Sequence, residues 1–423
     1  MKELKKIQTK YGVTEYRLQN GLRVLYKEEK AAPVVAVCIT FHVGSRNEAA
    51  GHTGSTHILE HLLFKDSKNF NKANGKNIAG HLDWLGAYVN ATTWLDRTNY
   101  FELLPDTALE EALALEADRM RGSRFTDEDL ASEMTVVRNE YERGRNNPFE
   151  LLDEEIMYKA FSKHPYRIPT IGTKEDIENS TAARLRKFYD IFYWPNNATL
   201  SVMGNVSWRQ VEKLIVKYFA PIPPSPHPIP RLTIKEPEQT SPRKVLLKKP
   251  LGITIASLAY KVPEGRHKDY PTLLMLATVL AGGFSSRLQK ALVDRGLASD
   301  LSVFCPPLFD PGVATFTAHL ADGVSGTAAL GVMRKEIAAL IKRGVSKDEV
   351  AGARERILAQ SAYERDGVFT EVRAVSEATA AGDWTLGYRI EDAVKRIKPA
   401  DIVRVAKKYF IPQKETSGIL MNG

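Results

Sequence analysis

His57 and His61 stand four residues apart with Glu60 between them, in the run His57-Ile58-Leu59-Glu60-His61. On a helix that spacing puts both imidazoles on one face, within reach of a single ion. Histidine suits Zn2+, which for catalysis takes three protein ligands and keeps one position open. Such an ion brings the pKa of its water towards neutrality, and a carboxylate beside it accepts the proton. Glu60 lies next to the histidine face and suits that task. The order H-x-x-E-H inverts the commoner zinc-protease helix motif. Two solvated surface histidines would be the bland account. The neighbours Leu59, Leu62, Leu63 and Phe64 argue against it, because they make the rest of the segment apolar and therefore buried. Two imidazoles and a carboxylate on a buried helix need partners.

A third ligand has to come from another rigid element. The helical pattern FTDEDLASEMTVVRNEYERGR, capped by Thr126, offers Glu133, Glu140 and Glu142. Glu133 and Glu140 are seven residues apart and share a face, whereas Glu142 lies about 200° around from Glu140. Such a pair on one face could equally be a solvated stripe.

The elements around these helices are legible from local chemistry. RLQNGLRVLYKEE (17–29) is a hairpin pattern, with Asn20-Gly21 between two β-type runs. GAYVNATTWLDRTNYFELL (86–104) is rich in β-branched and aromatic residues and reads as two strands. DTALEEALALEADRMRG (106–122) reads as a helix. Eight of the 22 prolines fall at 221–242, a stretch that excludes helix and central strand. It reads as a semi-rigid linker over 221–243, dividing the chain into 1–220 and 244–423. The two parts resemble each other. Aligning Pro195 with Pro412 puts Thr199 on Thr416, Val202 on Ile419 and Asn205 on Asn422. VVAVCITFHVGSRNE (34–48) and ITIASLAYKVPEGRHKD (253–269) are each a β-rich run, a turn and a helical segment. The expected fold is α+β: two homologous α/β-sandwich domains, each an antiparallel-rich sheet backed by helices.

His57 and His61, followed by Glu140 in VVRNEYERGRNNP, make the chain resemble the pitrilysin (insulinase) family of zinc peptidases, which includes insulin-degrading enzyme and the mitochondrial processing peptidase. The resemblance extends over essentially the whole chain, through GAYVNATTWLDRTNYF, HPYRIPTIGT (164–173) and AGGFSSRLQKALVDRGLAS (281–299). It implies Zn2+ held by His57, His61 and Glu140, with Glu60 as general base and Glu133 as a supporting acid. It also implies that the strand carrying Asn90, Ala91 and Thr92 offers its edge to an extended peptide, which joins the sheet by backbone hydrogen bonds. The implied activity is that of a metalloendopeptidase acting on peptides or unfolded polypeptides.

One departure bears on partners. Members of the family commonly carry an Arg and a Tyr in a segment like L-R-E-K-G-L-A-Y. The matching run here is Leu292 to Ser299, in which Val293 replaces the Arg and Ser299 the Tyr, with Arg295 two positions off. Valine and serine bring neither a charge nor a phenol to a developing oxyanion. The resemblance therefore implies a heterodimer with a related subunit that lacks the zinc motif and supplies that pair. The rival reading is a non-catalytic scaffold subunit, but such relatives usually lose the zinc motif, which this chain keeps whole.

Composition narrows the field further. The 423 residues carry a net charge of +8, with Lys and Arg scattered among Asp and Glu, so no nucleic-acid partner is expected. No apolar run nears the roughly 18 residues of a membrane span. The opening MKELKKIQTKYG has no apolar core of a secretory signal, and Cys38 and Cys305 lie far apart in apolar surroundings, as free buried thiols would. A cytoplasmic location is expected, or a periplasmic one had a signal already been removed. His42, His52, His81, His164, His227, His267 and His319 lack ligand spacing and read as structural or solvated.

Overall fold

The computed structural model describes residues 4–423. Its first sheet has seven strands: β1 (Leu4–Lys10), β2 (Val13–Leu18), β3 (Arg23–Glu28), β4 (Val34–Phe41), β5 (Tyr88–Thr93), β6 (Thr98–Pro105) and β7 (Ala198–Gly204). Their order is β1-β2-β3-β7-β4-β6-β5, and β3–β7 is its one parallel pair. The central strands β4 and β7 are buried along nearly their whole length, which suits the apolar run of β4 and leaves Thr199 and Ser201 of β7 buried as well. β5 is the outer strand, bonded to β6 alone.

The second sheet repeats this pattern with β8 (Arg243–Lys249), β9 (Ile255–Val262), β10 (Ala298–Phe304), β11 (Gly312–Leu320) and β12 (Glu415–Asn422). Its order, β10-β11-β9-β12-β8, has one parallel pair, β12–β8. Substituting β8, β12, β9, β11 and β10 for β3, β7, β4, β6 and β5 reproduces every pairing and every direction. The matched chain ends also correspond: helix Ala182–Phe192, a turn at Pro195–Asn197 and then β7, against helix Pro399–Tyr409, a turn at Pro412–Lys414 and then β12. The α+β fold of two homologous sandwiches is thus the one present.

Packing divides the chain into two compact units that are not contiguous in sequence. The first comprises Met1–Glu140, Pro169–Thr233 and Glu364–Thr385; the second comprises Tyr141–Ile168, Ile234–Tyr363 and Leu386–Gly423. In the first unit, helix Val368–Ala380, here the return helix, packs on β4 and β7. In the second, helix Pro148–Ala160 packs on β8 and β12, where Gly418 admits Ile156 so closely that a Cβ would lie 2.7 Å from its Cδ1. Residues 223–242 form neither helix nor strand. Both cysteines are free; Cys38 on β4 is buried as expected, but Cys305, just past the end of outer strand β10, is only partly so.

Four helices frame the candidate site, α1 (Ser55–Leu62), α2 (Ile78–Trp84), α3 (Leu109–Gly122) and α4 (Asp127–Arg145), of which α4 lies in the first unit as far as Glu140. Ile58, Leu59, Leu62 and Leu63 are fully buried and fix the rotation of α1. Leu130, Met134 and Val137 do the same for α4, whose first turn is capped by the Thr126 hydroxyl accepting from the Asp129 amide at 3.0 Å. α1 begins at Gly54, whose φ is +83° and where a Cβ would lie 2.4 Å from the carbonyl oxygen of Ile171. Gly54→Ala should therefore cost about 1–3 kcal/mol of stability, read by chemical denaturation; an unchanged midpoint and slope would show that the start of α1 can relax.

Candidate active site

Three side-chain atoms converge between α1 and α4. His57 Nε2 and His61 Nε2 are 3.4 Å apart, and Glu140 Oε2 lies 3.4 Å from the first and 3.5 Å from the second. A tetrahedral zinc ion with ligands at about 2.0–2.1 Å requires ligand atoms about 3.3–3.4 Å apart. The donor set and its spacing therefore fit Zn2+. Among the described residues these three form the one group of His, Cys, Asp and Glu close enough to hold a metal. Each is partly exposed, which leaves a side open to a reactant.

Glu133 is set behind them. Its Oε2 lies 3.1 Å from His61 Nδ1, and its Oε1 pairs with Lys65 Nζ at 2.5 Å. A proton on Nδ1 leaves the Nε2 lone pair of His61 facing Glu140 and His57. Burial and the neighbouring His61 lower the pKa of His57 to about 4, so its imidazole is neutral and able to ligate at physiological pH. Glu142, on the other side of α4, takes no part in the group.

Glu60 is held above the usual carboxylate range, chiefly by burial; Thr93, His61 and Arg97 oppose that shift. A carboxyl tuned upward is better matched to accept a proton near neutrality. The Thr93 hydroxyl is buried beside Glu60 and is the group that most opposes the upward shift of its carboxyl. Thr93 ends β5, so the outer strand and the candidate base meet at one point. Along β5, Val89, Ala91 and Thr93 pair with Glu102, Tyr100 and Thr98, while Tyr88, Asn90 and Thr92 pair with Leu103, Phe101 and Asn99. The pleat turns the first set towards α1 and the second towards the return helix, where Phe369 packs on Tyr88 and Phe101. The Ala91 amide is taken by the Asn90 side-chain oxygen at 2.8 Å.

These placements can be set beside known proteins. Residues 23–174 match the family model described as insulinase (peptidase family M16), and residues 179–357 match that of the peptidase M16 inactive domain. The zinc protease PqqE of Helicobacter pylori is 31% identical over 419 residues, covering 95% of this chain and 91% of that protein. The chain belongs to the M16 (insulinase) family of metallopeptidases, whose metal is zinc. YmxG of Bacillus subtilis, named as an uncharacterized zinc protease, is 27% identical, covering 82% of each chain. The crystal structure of a protease from Helicobacter pylori superposes with a TM-score of 0.91 at 28% identity over 100% of both chains. An M16 inactive domain from Pseudomonas fluorescens shares the fold, with a TM-score of 0.86 at 18% identity and 96% of this chain covered. No helix among the described residues is long and apolar enough to cross a membrane.

Several residues that support the site of this M16 chain were not singled out in its sequence. Glu48 accepts from the amides of Gly54 at 2.8 Å and Thr56 at 2.7 Å, capping α1 with a carboxyl group whose pKa burial pushes up to about 8. Arg119, Glu116 and Glu102 are fully buried together; Arg119 Nη1 is 2.8 Å from Glu116 and 3.9 Å from Glu102. Burial and the nearby Glu116 push the Glu102 carboxyl well above the usual range, which favours its protonated form beside the Arg119–Glu116 pair. The Arg119 guanidinium lies 5.0 Å from the ring of Phe64, at the exit of α1, and 4.7 Å from that of Tyr100 on β6. In sequence, Glu48 looks like a loop residue and the trio like ordinary charges; only burial distinguishes them. Glu133→Gln should leave the fold intact and weaken zinc binding by about 10–100-fold, as outer partners of metal ligands commonly do. Competition with a chromophoric chelator measures this, and wild-type affinity would remove Glu133 from the support of His61.

Proposed function

We propose that the chain is a zinc endopeptidase for extended peptides or unfolded polypeptides, in which His57, His61 and Glu140 hold the metal and Glu60 is the general base. The spacing of 3.4–3.5 Å among the three ligand atoms, with a half-buried, upshifted Glu60 beside them, carries this reading. Zinc, when bound, supplies Lewis-acid chemistry to a water and to the scissile carbonyl. Glu60 takes the proton of the attacking water and delivers it to the leaving amine. Glu133 keeps His61 in the ligating tautomer. β5, outermost in its sheet, offers its free edge at Asn90, Ala91 and Thr92, and a peptide pairing there is held by its backbone, which tolerates many sequences.

The same reading makes this chain the zinc-bearing half of a heterodimer. Val293 ends the helical turn Gln289–Val293, and Ser299 lies on the outer strand β10 with its hydroxyl 3.4 Å from the carbonyl of His319. Val293 has no polar group and the Ser299 hydroxyl is turned to the His319 carbonyl, so a related subunit lacking the zinc motif would bring the Arg and Tyr. A non-catalytic scaffold role is the weaker alternative, since it leaves the intact metal group without a use.

Glu60→Gln should cut kcat by about 10²–10⁴-fold while leaving one zinc per chain, measured by metal analysis alongside hydrolysis of a quenched peptide library. Retained cleavage would remove Glu60 from the mechanism. With the same library, the zinc-loaded wild-type chain alone should show little cleavage. Robust, chelator-sensitive cleavage by that chain alone would make the partner dispensable.

A further inference from the structure

Arg97 lies in the turn between β5 and β6 and is only 7% exposed. Its Nε is 3.0 Å from Glu377 Oε1 and 3.2 Å from Oε2, and its Nη2 reaches Oε1 at 2.6 Å, a forked pair with the return helix. The remaining Nη1 donates to the carbonyl oxygen of Thr92 at 2.8 Å. Asn99, opposite Thr92 on β6, donates to the same Glu377 oxygen at 3.3 Å. A charged residue sequestered to this degree is uncommon unless its geometry is used. Here the use is specific, because the Thr92 carbonyl belongs to the peptide unit that also contains the amide of Thr93, and the buried Thr93 hydroxyl lies beside the Glu60 carboxyl.

The turn is gripped on its other side as well. The amides of Ser45 and Arg46 donate to the carbonyls of Trp94 at 3.1 Å and Leu95 at 3.0 Å, and Arg46 pairs with Asp96 at 3.1 Å. Backbones meet so closely there that a Cβ on Gly44 would lie 2.3 Å from the Trp94 oxygen. That grip already closes the hairpin. The clamp from Arg97 to the return helix adds something different: it fixes the last peptide unit of β5 against the sheet and against the base.

We propose that Arg97, clamped by Glu377, is a positioning residue of the peptidase site: it holds the Thr92–Thr93 end of the outer strand so that the Thr93 hydroxyl orients the Glu60 carboxylate towards the reacting water. The inference rests on Glu60 being the base. Arg97 does not touch the substrate's reacting atoms, and its effect passes through Thr93. A misplacement of about 1 Å at a reacting group costs about 100-fold in rate. Loss of the clamp should therefore appear in the chemical step rather than in binding.

The test uses the full chain, with any partner subunit its activity requires. Arg97→Met should lower kcat by about 30- to 100-fold, change KM by less than about threefold and leave one zinc per chain. Arg97→Lys keeps the charge but cannot fork to Glu377 and reach Thr92 together, so its kcat should fall between those of Arg97→Met and wild type. Glu377→Gln, which keeps an acceptor for the guanidinium, should also be intermediate, and it carries the test if Arg97→Met fails to fold. Thr93→Val should reproduce the kcat loss with Arg97 in place. Wild-type kcat in Arg97→Met, a loss confined to KM, or a loss matched by lost zinc would each overturn the proposal. Full cleavage by Glu60→Gln would overturn it for a separate reason, by removing the base that the clamp serves.

Discussion

Two imidazole nitrogens and a carboxylate oxygen within 3.5 Å of one another make an electron-rich cluster that a flexible chain would disperse. The scaffold has to hold it together before a cation arrives, and much of the first unit can be read as meeting that demand. α1 is fixed in rotation by four fully buried side chains, at its start by the Glu48 cap, and just past its end by Phe64 against the buried Arg119. α4 is fixed by its own apolar stripe, and Glu133 ties the two helices through His61 and Lys65. Rigid elements give such a site its precision, and here each ligand sits on a helix rather than on a loop.

The two sheets share one plan but not one chemistry. In the first, β4 leads through a loop to α1, which carries the histidines. In the second, β9 leads through a loop to helix Tyr270–Ala281, whose sequence YPTLLMLATVLA holds no ligand and whose side chains are mostly buried. Packing alone accounts for that helix; it shows what the duplicated frame requires when no metal has to be held. The first unit buries four ionisable side chains near these helices: Glu48, Glu102, Glu116 and Arg119. Each is offset by a capping bond, an ion pair or a proton rather than by solvent.

What could be read from the sequence was whatever local spacing encodes. His57 and His61 share a helical face because they are four apart, and Glu133 and Glu140 because they are seven apart. Strands β5 and β6, the Asn20-Gly21 hairpin and the Thr126 cap follow from propensity and turn chemistry over a few residues. The duplication showed because both parts keep a helix, a proline turn and a β-run in the same order. Glu377 and Arg97, by contrast, are separated by 280 residues, and the pairing of Lys27 with Glu371 at 2.6 Å by 344. No periodicity links residues so distant, and nothing in VFTEVRAVSEATA marks it as a helix for the first sheet. The same holds for PFELLDEEIMYKA, which packs on β8 and β12 although it follows α4 directly.

The outer strand sets the last constraint. A free sheet edge invites pairing with any chain, so edges are usually short, twisted or covered. β5 has only six residues, and its end is held from two sides, by Ser45 and Arg46 against Trp94 and Leu95 and by Arg97 against Thr92. Its middle is neither covered nor idle, because the Asn90 carboxamide oxygen already accepts from the Ala91 amide. A peptide that pairs at Ala91 exchanges that bond for one of its own, so the net gain of the first contact is small, and affinity has to accumulate along the strand. An edge built this way favours chains long and extended enough to pair at several positions, and the end of the same strand lies beside Glu60, the base we propose.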